Sequence, residues 1–144
     1  MLSNTCKYAI RALIYIAVHA REGEKIGIKK IAEDLEIPMP FLGKILQQLA
    51  RNKILSSTKG PHGGFGIGKD PSKISLYEVV KVIDSADAFD LCVIGLKNCN
   101  EQETHCSLHE AYSPVREATR QIFRSTTIAD LAEGIREGRR SIII

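Results

Sequence analysis

Three cysteines, Cys92, Cys99 and Cys106, recur at seven-residue intervals in CVIGLKNCNEQETHC, and His109 follows the last of them by three residues. A loop that also holds Gly95, Asn98 and Asn100 can fold thiolates at this interval onto one soft metal centre. Three sulfurs and an imidazole also make a structural zinc set. The gaps are wider than the tight pairs of zinc knuckles, so the spacing favours an iron–sulfur cluster, [2Fe–2S] or [4Fe–4S], with zinc as the alternative. Glu103 and His105 are weaker ligand candidates, and Cys6 reads as an inert, half-buried helix cysteine. Two uses of the cysteines need no metal. One is a cofactor-free thiol sensor that forms disulfides on oxidation. The other is an enzyme with a cysteine nucleophile and His109 as base, against which stands the lack of a recognisable oxyanion element or nucleophile turn.

The second chemistry is charge. Between Lys44 and Lys73 six basic residues (Lys44, Arg51, Lys53, Lys59, Lys69, Lys73) face one acid, Asp70, while the whole chain carries only +3. Such a local excess suits a phosphate-facing surface, although it would serve equally as a solvated face.

The elements that would position these groups can be read from periodicity. Apolar residues from Ala9 to Ala20 predict a helix over 3–19. A short helix over 28–35 follows, then the turn Glu36-Ile37-Pro38, then a helix over 39–52 with Leu42, Ile45, Leu46 and Leu49 inward. Pro40 fits the first turn of that helix. Residues 54–58 read as a strand and GPHGGFGIG as a hairpin tip with its returning strand. The order is that of a winged helix-turn-helix, so the fold class is mainly α with a small β-wing. Its third helix would enter the major groove with Met39, Pro40, Phe41, Lys44 and Gln48 near bases or phosphates and Arg51 beyond. The wing residues Lys59, Gly60, Pro61, His62 and Gly63 would reach the neighbouring groove or backbone. Phe41 could equally be a core residue.

Ser75-Leu76-Tyr77-Glu78 and Ser107-Leu108-His109-Glu110 both have capping-box spacing and predict helix starts. If the second helix begins at Ser107, Cys106 lies at its N-terminus, where free amides favour a thiolate. In that helix Ala111, Val115, Ala118 and Ile122 form a two-helix seam, read as a homodimer contact. Pro114 either kinks the helix or marks its true start. Thr127 opens a last short helix through Ile128, Leu131, Ala132 and Ile135, and the tail Ile142-Ile143-Ile144 is apolar. The chain thus divides into a DNA-binding domain (1–87), a cysteine-rich loop (88–106) and a long C-terminal dimerisation helix with a final short helix (107–144). Its 144 residues contain no apolar run long enough to span a bilayer. A cytoplasmic protein that keeps its thiols reduced is expected.

Taken together, Tyr8-Ala9-Ile10-Arg11-Ala12-Leu13, the wing Lys59-Gly60-Pro61-His62-Gly63-Gly64-Phe65 and the cysteine triplet, in this order, resemble the Rrf2 family of bacterial winged-helix regulators. The resemblance covers nearly the whole chain. It implies a dimeric regulator, expected to repress, that binds a palindromic duplex operator under control of an iron–sulfur cluster sensing iron, nitric oxide or redox state. Three cysteines hold the cluster in this family with a variable fourth ligand. In cluster-biogenesis members that ligand is a histidine three residues after the last cysteine, the place of His109. In nitric-oxide sensors it is an aspartate whose place is taken here by Lys7, which cannot ligate. The wing's usual arginine is Lys59, and Gly43 stands where cluster-biogenesis members carry a glutamate involved in base discrimination.

Overall fold

The protein is described by a computed structural model that covers residues 2–95, 98, 106–139 and 141. Its first helix, α1 (Asn4–His19), starts at Ser3, whose hydroxyl accepts from the Cys6 amide at 3.0 Å. Asp84 in turn accepts from the Ser3 amide at 2.9 Å, fixing the start of α1 to the end of a later helix. Residues Ala12 to Ala17 are buried without interruption, so this end of α1 is covered on every side rather than along one stripe.

Helices α2 (Ile28–Asp34) and α3 (Met39–Arg51) form the helix-turn-helix. Both end in the same way. Glu36 and Lys53 take left-handed backbone angles, φ 54° and 60°. The amides two residues past each last turn then reach back, Ile37 to the Ala32 carbonyl at 3.0 Å and Ile54 to the Leu49 carbonyl at 3.1 Å. These are Schellman closures, and the isoleucine each delivers is buried. Strands β1 (Leu55–Thr58) and β2 (Gly64–Ile67) pair antiparallel, Leu55 with Ile67 and Thr58 with Gly64. Ile26 adds a bridge to Phe65 through two 2.9 Å backbone bonds. Gly64 permits that approach, because a Cβ there would lie 2.3 Å from the Ile26 carbonyl oxygen. The mainly helical winged-helix architecture read from the sequence is the fold observed.

A 3-10 turn (Pro71–Lys73) leads to α4 (Leu76–Ile83). Ser75 caps α4 by accepting from the Glu78 amide at 3.2 Å, but the Glu78 carboxylate turns outward to Lys69 at 2.6 Å instead of closing a box. That pair also neutralises one of the six cations counted between Lys44 and Lys73. Helix α5 (His109–Ser125) starts one residue later than the Ser107 capping pattern predicts, with Leu108 at the cap position and no side-chain cap. Pro114 lies inside α5, so it neither starts nor ends the helix. Helix α6 (Ile128–Arg136) does carry a reciprocal box, Thr127 with Asp130.

Helix α6 does not stand apart with α5. Ile128 and Ala132 belong to the same core as Leu13, Ile16, Ile31, Leu46 and Ile74. Backbone bonds from Leu76 to the Thr126 carbonyl (3.0 Å) and from Ile128 to the Ile74 carbonyl (2.9 Å) tie α6 to the DNA-binding head. A smaller cluster of Cys6, Val80 and Phe89 connects α1 and α4 to the 3-10 turn Ala86–Phe89. Among the described residues, no helix is long and apolar enough to cross a membrane.

Because Ile128 is fully buried in the shared core, Ile128→Ala is expected to destabilise the whole protein by about 2–5 kcal/mol. A urea midpoint unchanged from wild type would show that α6 is not part of the head's core.

Candidate nucleic-acid interface and thiol centre

The polar face of α3 is set by its apolar one. With Leu42, Ile45, Leu46 and Leu49 turned into the core, Pro40, Lys44, Gln47 and Arg51 fall on one exposed stripe at helical spacing. Met39 also stands exposed at the helix start. Phe41 is exposed as well, at 37%, with its ring edge-on to Tyr8 at 5.7 Å. Gln48, expected near bases, lies off the stripe. Its Nε2 donates to the Val82 carbonyl of α4 at 2.7 Å. Gln47, one residue earlier, is the exposed amide.

The stripe faces the wing across a groove lined by Gln47, Arg51, Ser57, Thr58, Lys59 and Phe65. Lys44, Arg51 and Lys59 form no ion pair with a described residue. Lys59, Gly60, Pro61 and His62 form the exposed wing tip, closed by the Gly63 amide on the Gly60 carbonyl at 2.9 Å. A helix with a free polar stripe, next to a cationic groove and a projecting wing, can lie in one groove of a duplex while the wing reaches the flanking backbone.

The thiol centre lies on the far side of α4, against α5. The Sγ atoms of Cys92 and Cys106 are 3.6 Å apart, and the Gly95 amide donates to Cys92 Sγ at 3.2 Å. The two thiols are not disulfide-bonded. Two ligands on one tetrahedral metal, with bonds of about 2.3 Å, stand roughly 3.8 Å apart, so this pair fits a shared metal without rearrangement. His109 lines the same small cavity, together with Val93, Leu108, Tyr112 and Arg116. Cys99, Glu103 and His105 lie outside the described residues, as does the Ile142–Ile144 tail. Among the described residues no group of three metal-ligating side chains converges.

Since α5 begins at His109, Cys106 precedes it in a turn closed by the His109 amide on the Cys106 carbonyl at 2.9 Å. Cys106 is thus not at the first helical position. Cys6 is fully buried, and burial, followed by the nearby Asp84 carboxylate, pushes its thiol up to about 12. It cannot serve the loop as a ligand. The approach to the thiol centre is tied to α5 by Asp90, which pairs with Arg120 at 2.7 Å. Phe89 fixes the same segment between Tyr77 (5.4 Å) and Phe123 (5.3 Å). The seam residues Val115 and Ile122 are 52% and 59% exposed, leaving an apolar face on α5 uncovered within one chain.

The family model for Rrf2, described as iron-dependent transcriptional regulator, matches residues 2–134. An Aquifex aeolicus protein assigned as an HTH-type transcriptional regulator is 30% identical over 91% of this chain and 90% of its own length. The HTH-type transcriptional regulator IscR of Serratia proteamaculans is 27% identical over 90% of this chain and 77% of its own. Among solved structures, CymR, titled the global cysteine regulator of Bacillus subtilis, superposes with a TM-score of 0.77 at 21% identity, covering 92% of this chain and 96% of its own.

The two neighbouring glutamines separate support from contact. Removing Gln48 leaves the half-buried Val82 carbonyl without its donor, so Gln48→Ala is expected to destabilise by about 1–3 kcal/mol. Gln47→Ala is expected to leave the urea midpoint within about 0.5 kcal/mol of wild type. Equal effects would mean that Gln48 is not anchoring α3 to α4.

Proposed function

The chain belongs to the Rrf2 family of helix-turn-helix transcriptional regulators, and from that membership we propose a dimeric repressor whose grip on a palindromic operator is set by an iron–sulfur cluster. Family and relatives are regulators of transcription and not enzymes, which removes the nucleophile reading of the cysteines. The observation that carries the cluster is the 3.6 Å approach of Cys92 and Cys106 Sγ beside His109.

In this reading Cys92, Cys99, Cys106 and His109 hold the cluster. When bound, it supplies a centre that responds to iron supply, nitric oxide or oxidants. The chain's own residues do the rest. Cys92 and Cys106 fasten the segment after the 3-10 turn to the start of α5, alongside the Asp90–Arg120 pair. Helix α5 buries Val115 and Ile122, with Ala111 and Ala118, against the same face of a second copy. Lys44, Gln47 and Arg51, with Met39, Pro40 and Phe41 at the helix start, approach one major groove. Lys59, Gly60, Pro61, His62 and Gly63 approach the neighbouring backbone. Emptying the thiol centre frees the segment that joins head to seam and changes the separation of the two α3 helices.

A second reading rests on the same distance. Two thiols 3.6 Å apart need only a small movement to close a disulfide of about 2.05 Å, so a cofactor-free sensor would oxidise this pair. Structural zinc remains the other metal reading.

Protein isolated without oxygen is expected to be coloured, with iron and sulfide near stoichiometric to protomer. Cys92→Ala, Cys99→Ala and Cys106→Ala should each abolish the colour, because nothing nearby replaces a thiolate. His109→Ala should leave a labile cluster with a shifted potential, since water can take the vacated place. Colourless protein carrying one zinc, or cysteine variants retaining full colour, would overturn the cluster while leaving DNA binding standing.

For the DNA contact, Arg51→Ala and Lys59→Ala should each weaken binding to all sequences alike and flatten the plot of log affinity against log salt by about 0.9. Gln47→Ala should instead alter which bases a site library prefers. A salt-independent affinity, or the reverse pattern of variants, would mean the interface is elsewhere.

A further inference from the structure

Among the described residues, Arg116 is the one charged side chain less than a tenth exposed, at 7%. A guanidinium keeps its proton at any working pH, so its burial fixes a permanent positive charge in the interior. Its position on α5 makes that charge informative. Arg116 lines the small cavity shared by Cys92, Cys106 and His109. It also lines the adjoining apolar cleft with Phe89 and Thr119. Its guanidinium carbon lies over the Tyr112 ring, 5.6 Å from the centroid, which holds the head group toward this side of the helix. The Gly95 amide adds a further electropositive group at the cavity, 3.2 Å from Cys92 Sγ.

The geometry points to Arg116 as the positioning residue that balances the charge of the thiol centre. Resting on the cluster reading above, the assignment is that the guanidinium compensates the thiolates of Cys92 and Cys106 when they hold the cluster. With all three cysteine thiolates of that reading, the ligands bring more negative charge than an oxidised cluster core neutralises, and reduction adds another electron. A fixed, largely buried cation stabilises both charges, the second more, so it retains the loaded centre and raises its reduction potential. A lysine would supply the charge without the planar group over Tyr112. A glutamine would supply neither.

The test uses the full chain isolated anaerobically as wild type, Arg116→Lys, Arg116→Gln and Thr119→Glu. Midpoint potential is read by dye-mediated titration and retention by the rate of bleaching under EDTA. Arg116→Gln should move the potential negative and bleach roughly ten- to a hundredfold faster. Arg116→Lys should recover most of both. Thr119 is three residues along the same helix face and lines the same cleft, so Thr119→Glu places a carboxylate beside the guanidinium without removing it. It should also move the potential negative, and it stands in for Arg116→Gln should that variant fail to fold. Wild-type potentials in Arg116→Gln and Thr119→Glu would overturn the assignment. So would Arg116→Lys behaving like Arg116→Gln, which would make the role one of packing. A colourless wild type defeats the cluster reading instead. Cobalt(II) titration followed by its visible bands then decides, with wild type and Arg116→Lys expected to bind at least about tenfold tighter than Arg116→Gln, and equal affinities overturning the assignment.

Discussion

The helix-turn-helix, α4 and α6 are placed by what it takes to cover α1. Eight of the helix's sixteen residues are buried, six of them consecutive from Ala12 to Ala17, and no single partner surface can exclude water from all sides of a helix. Its partners arrive from both ends of the sequence. Ile31, Leu46 and Leu49 come from the helix-turn-helix, Val79 from α4, and Ile128 and Ala132 from α6. Leu13, Ile16 and Leu46 are each fully buried, and at about 25 cal/mol per Å2 of apolar area such side chains dominate the favourable side of folding. The recognition helix, the wing and the final helix are therefore one packing unit. This is why α6, which in sequence follows the exposed α5, returns to the head.

With α3 fixed on α1, its termini decide how the wing is carried. Both closures of the helix-turn-helix use a non-glycine residue in left-handed backbone, Glu36 and Lys53, a conformation that disfavours L side chains by about 1–2 kcal/mol. What offsets that strain is the burial each closure produces, 3% exposure for Ile37 and none for Ile54. The second closure also sets the direction of β1, which begins at Leu55. The distance between α3 and the wing groove is thus governed by a three-residue turn and not by the hairpin itself.

Most of the head was legible because its cues agree with one another: the inward stripe Leu42, Ile45, Leu46 and Leu49, Pro40 at the helix start, the glycine-rich tip, and the caps at Ser75 and Thr127. The failures share a cause, since each depended on a side chain choosing between two available partners. Ser107 has capping-box spacing, yet the chain turns at Cys106 and helix α5 starts at His109. Glu78 takes Lys69 in place of the Ser75 amide. Gln47 and Gln48 differ by about 100° around the helix axis, so the stripe of Pro40, Lys44, Gln47 and Arg51 does resolve them once written out at spacings of four, three and four. Arg116 gives no such signal. On a helix as polar as α5, an arginine reads as surface, and only the cavity wall beside Cys92 and Cys106 identifies it.

The thiol centre and the recognition helix are separated by α4, and the coupling proposed between them has a packed route through it. From Cys92 the chain leads back two residues to Asp90, held by Arg120, and then to Phe89, stacked on Tyr77 of α4. Phe89 also packs with Val80 and Cys6, so a shift of this turn presses on α1 and α4 together. Two residues beyond Val80, the Val82 carbonyl holds Gln48 of α3 at 2.7 Å. Each link is a packed ring or a bond of fixed length, which favours rigid displacement over local absorption of strain. Contiguity of this kind supplies a physical route and not a coupling energy. The route has one consequence for geometry. Because Gln48 anchors α3 in its last turn, a movement of α4 rotates the exposed stripe about that point and does not simply translate it. If two copies pair through α5, a small rotation of each α3 changes the distance between the two Met39 ends more than between residues near the pivot such as Arg51. That is the quantity a two-fold operator measures, since its half-site spacing is fixed by the helical repeat of the duplex.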